Sequence, residues 1–419
     1  MIVPGRTLLV FTLTLVFFSS ALLHSFLPLI SDYDAYRWFQ LSIVTLSFLL
    51  LSKDRPRQLL FIFVGAMLTL IVALPTPYDL VFLVFDMGYW ISVIVVALYI
   101  LERFETVRFA DWISVAASIA CVLYLPTILM GVGFWYVQNS GAITDFLPFG
   151  FYGIRPWSHI ATWLLPLTVC TIYMSSSAPL FRVIFWKRIL VIAAGFWFFV
   201  LIGSGARGSL IANFLSLALM FFCFGRIMVP IFKAWVLSVL LGLLLYWILV
   251  FLVPSFLFDG TKISLPLRAG TSGRTELWSY ALELSFRNFP FGAGPLSFIA
   301  ETPNSAPATP HSLYLRWAAE YGWLFVFLFI LGFCWLVMPF FREIRNAKIE
   351  KVDFFKLAII WSVFSAFIHA SVSGVFTSPY SLTVGFPILV LFFVFIINAR
   401  MPGKLGKGSQ VVINAVSVV

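Results

Sequence analysis

Read by its hydrophobic and polar positions, the chain is a succession of long apolar runs with short polar breaks. About twelve runs have spanning or near-spanning length, near 8–27, 38–51, 59–74, 80–101, 112–131, 159–174, 189–202, 210–224, 229–253, 323–341, 354–372 and 382–398. A helix needs about 20 apolar residues to cross the hydrocarbon core of a bilayer. The pattern therefore predicts an all-α integral membrane protein of about twelve transmembrane helices. Nine fall in residues 1–253, three more in 323–399, and 400–419 is a tail. Residues 254–322 break the rhythm: charge, Gly/Pro turns and aromatic residues mix there in one long polar loop between spans. No internal repeat or soluble domain is evident. The first run, after Arg6, reads as an uncleaved helix rather than a signal peptide, because so many spans follow it.

Composition supports this picture: 62% of residues are hydrophobic and 11% charged, against about 25% charged in a soluble protein. Charge then adds a topology. One set of loops holds Arg6, the Lys53–Arg57 group, Arg103 and Arg108, the Arg182–Arg188 group, Arg226 and Lys233, the Arg342–Lys356 group, and Arg400–Lys407. These are about 19 of the 27 basic residues. The positive-inside rule assigns them to the cytoplasm, with both termini. Most of the net charge of +10 is then topological, and no nucleic-acid partner is needed to explain it.

About eight basic residues fall on the other side: Arg37, Arg155, Arg207, Lys262, Arg268, Arg274, Arg287 and Arg316. Positive charge against the prevailing bias points to an anionic ligand. The four cysteines, Cys121, Cys170, Cys223 and Cys334, lie in apolar runs without paired spacing and read as small core residues.

Three short stretches carry candidate chemistry. The turn from Gly203 to Ser209 joins two spans and holds Arg207. Its glycines allow close backbone approach to a ligand, Ser209 is expected to cap the next helix, and Arg207 offers a fork for phosphate. The same turn also reads as a plain glycine-rich hairpin with Arg207 snorkelling to headgroups. It lacks the Gly-Lys-[Ser/Thr] ending of a nucleotide loop. Gly273 to Trp278 opens an amphipathic helix that Pro290 and Gly292 end. Leu277, Trp278, Ala281, Leu282, Ser285 and Phe289 share one face, and Glu276, Glu283 and Arg287 the other. Such a helix is expected to lie on the outer membrane surface. Thr309 and Pro310 predict a helix start that puts His311 in the first turn, where the dipole disfavours the imidazolium and suits a base.

Other polar residues weigh less. His24, His159 and His369 lie in or at the ends of spans and read as structural. Asp86, within a span, is expected to pair with an outer arginine. Asp32 and Asp34 have the spacing to hold a divalent ion but read first as a solvated loop. No metal or other cofactor is expected.

In their order along the chain, these pieces resemble the bacterial O-antigen ligase family of polytopic glycosyltransferases. The resemblance rests on Gly205-Ala206-Arg207-Gly208, Gly273-Arg274-Thr275-Glu276-Leu277-Trp278, Pro290-Phe291-Gly292-Ala293-Gly294, His311-Ser312-Leu313-Tyr314-Leu315 and Glu320-Tyr321-Gly322. The family usually has His-Asn where this chain has His311-Ser312.

The resemblance implies a GT-C-like bundle with a periplasmic site. It implies metal-independent, inverting transfer of a glycan from undecaprenyl pyrophosphate to a sugar of the lipid A–core. It gives Arg207, Arg274 and His311 the catalytic roles. Arg155, Arg268, Arg287, Arg316 and Asp86 are further candidates for substrate binding. An O-antigen polymerase, a protein O-glycosyltransferase and a lipid-linked glycan flippase remain as alternatives. The clustering of cations at one face favours an enzyme over a flippase.

Overall fold

A computed structural model describes residues 80–103, 106–138, 154–172, 184–252, 274–294, 297–298, 310–346, 354–376 and 379–400. Among them there is no β-strand. The long helices are α1 (Leu80–Arg103), α2 (Thr106–Gln138), α3 (Ile154–Thr171), α4 (Ile184–Gly203), α5 (Arg207–Phe224) and α6 (Val229–Tyr246). They continue with α7 (Arg274–Arg287), α8 (Leu313–Asn346), α9 (Phe354–Ala370) and α10 (Pro379–Arg400). Among the described residues, five stretches are long and apolar enough to cross a membrane: Val115–Gly133, Trp186–Gly203, Arg207–Leu249, Leu313–Asn346 and Ser381–Arg400. Tyr89–Leu98 and Phe354–His369 are shorter apolar helices. The three spans expected between residues 8 and 74 lie outside the described residues.

Helices α3 and α9 form the centre. From Trp157 to Ile172 every residue of α3 and its end is buried, and α9 packs along it and along α5. Because lipid does not reach these two helices, they tolerate hydroxyls that hydrogen-bond across the interfaces. Ser362 Oγ donates to Trp163 O (2.9 Å), Trp361 Nε1 to Ser216 Oγ (2.9 Å) and Trp163 Nε1 to Ser381 Oγ (2.8 Å). Around them α6 lies along α4, and α10 joins α1 to α3. Trp157 stacks on Trp197 with ring centroids 4.3 Å apart.

The antiparallel succession gathers the start of α3, the end of α4 and the starts of α5, α8 and α10 at one end of the bundle, with the end of α9. The opposite end collects part of the basic set expected to face the cytoplasm. There Lys356 pairs with Glu343 at 2.7 Å, and Arg400 lies 3.6 Å from the ring centroid of Trp335. Arg226 sits in the turn between α5 and α6, also at that end.

The helix read from Gly273 onward forms as α7 and ends at Arg287 before Pro290. Its buried positions are Leu277, Ala281, Leu284 and Ser285, while Glu276, Glu283 and Arg287 are exposed. One expectation is corrected. The apolar face of α7 is not laid open along its length; Leu277, Ala281 and Leu284 pack with Phe298 and Ala319 in a small core against α8. Phe289, expected on that face, lies beyond the helix end and is exposed.

Helix α8 is broken at Gly322 (φ 86°, ψ 162°) into a short segment of residues 313–321 and a long apolar one from Trp323. The break explains why the apolar run reads as starting at 323. Gly322 lies against the Pro290–Gly294 loop. Ala293 N donates to Ala319 O (2.8 Å), Gly294 N to Glu320 O (2.9 Å) and Leu324 N to Pro290 O (3.3 Å). A Cβ at Gly322 would collide with Pro290 O, and one at Gly292 would meet the Gly322 nitrogen at 2.5 Å. Two stretches singled out in the sequence, Pro290–Gly294 and Glu320–Gly322, are therefore locked together backbone to backbone.

Candidate functional site

The parts of the site meet at the turn that follows α9, residues 371–376. Val372 N donates to His369 O (3.0 Å) as the chain leaves the helix. His369, in the last turn of α9, is buried. Its Nδ1 is 2.7 Å from Thr162 Oγ1 on α3. That oxygen is also 2.7 Å from Ser158 O and 3.0 Å from Ser209 Oγ on α5. A hydroxyl has one proton. With that proton on Ser158 O, Thr162 accepts from both Ser209 and His369, which assigns a proton to His369 Nδ1 and turns Nε2 toward α5. His159 Nε2 is 2.7 Å from Ser373 Oγ, and its ring meets that of His369 edge-on with centroids 5.3 Å apart. Three helices and the turn are thus tied by one buried polar network.

Arg207 is the first residue of α5 and is exposed. Ser209 does not cap this helix. Ala206 holds the cap position without a side-chain hydrogen bond, and Ser209, third in the helix, faces inward to Thr162. The expectation failed because the helix starts two residues before the serine. Gly208 lies directly against His369: a Cβ there would be 2.9 Å from Nε2 and 3.4 Å from Val372 Cγ2. Ser204 Oγ, in the same turn, is buried without a hydrogen-bond partner among the described residues.

Arg274 begins α7 and donates from Nη1 to Val372 O (2.9 Å). Its positive charge is also within electrostatic range of the His369 ring. The helices of Arg207 and Arg274, far apart in the chain, therefore both reach Val372.

His311 lies on the adjoining side. It lines a small cleft with Pro310, Ser312, Leu313, Arg316, Ser373, Gly374 and Phe376. It is not in a first helical turn, as the Thr309-Pro310 pair had suggested. Trp278 Nε1 of α7 donates to Pro310 O (2.8 Å), His311 takes φ of 53°, and α8 starts only at Leu313. Ser312 is the cap: its Oγ accepts from Leu315 N (3.4 Å) and its O from Arg316 N (3.0 Å). The serine beside His311 thus has a definite task, one that asparagine at this place would serve equally. Arg316 is held by Glu320 at 3.1 Å, with the Glu320 side chain fully buried.

The remaining candidates fall elsewhere. Arg287 pairs with Glu283 at 2.7 Å on the exposed face of α7. At 1.5 Å per residue it is about 20 Å along the helix from Arg274, so the structure does not bring it to the cluster. Arg155 is placed at the start of α3 and Asp86 within α1, but their side chains, and so the expected pairing of Asp86, are outside the described set. Arg268, Asp32 and Asp34 also lie outside the described residues. His159, Thr162, His369 and the 371–376 turn were not expected at a site. The available signal was two histidines inside apolar runs, where an ionisable group is costly and usually faces function.

These features define a multi-pass helical membrane protein with a polar cluster, carrying arginine and histidine, at one end of its bundle. Residues 189–330 match a family model described as O-antigen ligase. The match runs from α4 to the first part of α8 and includes Arg207, Arg274, His311 and Arg316; it supports an enzyme of the membrane ligase or polymerase type. No curated protein and no solved structure matches the chain.

Proposed function

We propose that the protein is an O-antigen ligase. It transfers a glycan from undecaprenyl pyrophosphate to a sugar hydroxyl of the lipid A–core, at the periplasmic face of the bacterial inner membrane. The observation that carries the reading is the meeting of Gly208, next to Arg207, with Arg274 and His311 around one short turn. Arg207 stands on a helix N-terminus without a side-chain cap, an arrangement that suits an anion. Arg274 is anchored on Val372 O, three residues after His369. Guanidinium groups there can hold the pyrophosphate and stabilise the charge that builds on it as the sugar leaves, without a metal.

In this reading His311 takes the proton of the acceptor hydroxyl while that oxygen attacks the anomeric carbon from the face opposite the pyrophosphate, which inverts the configuration. The new glycosidic bond forms as the bond to the pyrophosphate breaks, and lipid pyrophosphate departs as an anion between the arginines. Arg316, fixed by Glu320 in the same cleft, orients the acceptor. Arg155 and Arg268 are proposed to assist at the donor. The basic residues at the opposite end of the bundle suit a cytoplasmic face and support this orientation.

The test is transfer by the purified, reconstituted protein from lipid-linked glycan to rough lipopolysaccharide, with a second lipid-linked glycan offered in parallel. Transfer to lipopolysaccharide is expected. Chain elongation on the lipid-linked glycan alone would make the protein a polymerase.

A further inference from the structure

The C-terminal end of α7 carries an apolar surface that the site does not use. Phe286, Phe289 and Phe291 are 63%, 64% and 72% exposed, within six residues of one another. The rest of the apolar face of α7 is consumed by packing with Phe298 and Ala319, so these rings are not part of that core.

Their position is fixed relative to the membrane-crossing part of α8. Leu324 N donates to Pro290 O (3.3 Å), Trp323 Nε1 donates to Ser285 Oγ (3.2 Å), and the rings of Phe286 and Trp323 are 6.1 Å apart. Trp323 is the first residue of the long apolar segment, the usual place of an interfacial aromatic belt. Immediately below, Leu324, Phe325, Phe327, Leu328 and Leu331 are exposed, the outer wall of a candidate span. The phenylalanine tip continues that wall at the height where the span begins. On the same helix Glu283 and Arg287 point to solvent.

We infer that Phe286, Phe289 and Phe291 insert into the interfacial layer of the bilayer beside α8. The occupant of this surface is lipid. Helix α7 then acts as a strut about 21 Å long, with one end anchored in lipid and the other, at Arg274, against Val372 over the bundle centre. Its anchorage sets the height of the polar cluster above the bilayer. The inference rests on α8 crossing the membrane and does not depend on the reaction proposed above.

Spin-label accessibility in phosphatidylethanolamine/phosphatidylglycerol vesicles tests it. Exposed Cys334 and half-buried Cys223 are first replaced by alanine, and single labels are placed through Phe289→Cys, Phe291→Cys and, as a reference, Glu283→Cys. Labels at 289 and 291 are expected to be relaxed several-fold more by oxygen than by a water-soluble nickel chelate, and the label at 283 the reverse. Chelate relaxation at 289 and 291 equal to that at 283 would put the tip in water and overturn the inference. Shielding from both agents would mean that protein covers the tip, from this chain or a second copy, and would overturn it equally. Should the cysteine variants not fold, a photoreactive benzoylphenylalanine at 291 gives the same decision, since lipid adducts are expected and protein adducts alone would refute it.

Discussion

Gly208 and His369 are in backbone-to-ring contact, so that a methyl group added to the glycine would stand 2.9 Å from Nε2. Neither partner has room to yield. His369 is held by Thr162, and Gly208 lies in the first turn of α5 beside Arg207. Gly208→Ala is expected to shift Arg207 and reduce transfer on the order of 10–100-fold, the scale of a misplacement of about 1 Å. Shrinking the ring in a Gly208→Ala/His369→Ala pair should make the loss smaller than the sum of the single changes. A double-mutant cycle on transfer rate and thermal unfolding reads this coupling. Additive losses would show that the contact does not matter.

Arg274 reaches Val372 through its planar fork. Lysine cannot reproduce that geometry while also facing an anion. Arg274→Lys is expected to weaken donor binding nearly as much as Arg274→Ala, and Arg207→Lys to behave alike. Titration with lipid-linked donor in detergent measures this, and wild-type affinity in the lysine variants would remove the arginines from the donor site.

His311 has a backbone conformation that asparagine shares more readily than most residues. His311→Asn therefore separates the chemistry of the ring from the shape of the turn. Donor affinity should stay near the wild-type value while turnover falls by roughly 10²–10⁴-fold. Parallel loss of donor affinity would instead make His311 a ligand of the pyrophosphate.

Glu320 is buried beneath Arg316. Removing one partner of such a pair leaves a charge without compensation and costs about 3–5 kcal/mol. Glu320→Ala should lower the unfolding temperature clearly, and Arg316→Ala/Glu320→Ala should regain part of the loss. Thermal unfolding in detergent would show whether it does.

Gly322 combines a positive φ with a collision between any Cβ and Pro290 O. Gly322→Ala is expected to cost at least about 2–3 kcal/mol. It should reduce the yield of monodisperse protein in size-exclusion chromatography before any effect on chemistry is measurable. A normal yield and unfolding temperature would mean that the loop and the helix are free to separate.

The apolar runs made the helices legible in the sequence because period and length are local properties. The runs read from 189, 210, 229 and 354 all correspond to helices here. The arginines and His311 stood out for the same reason, as polar residues against an apolar background. Ser209 and Ser312 were harder. Each is a serine near a helix start, and only tertiary contacts decide which one caps. Thr162 offers Ser209 a buried partner, whereas Trp278 pins Pro310 and leaves Ser312 at the helix start. His159 and His369 were illegible for a further reason. They lie more than 200 residues apart, and their value comes from meeting across the bundle.

The 371–376 turn also bears on how such proteins can be recombined. It supports both arginine-bearing helices and closes one side of the His311 cleft, yet it lies outside residues 189–330, where the family match is found. A chimera that exchanges 189–330 alone would import Arg207, Arg274 and His311 while leaving their foundation behind. Gly208 would then face a foreign residue at 369, and the guanidinium of Arg274 a foreign carbonyl. Exchanging residues 354–376 together with that segment keeps the two halves of the joint matched.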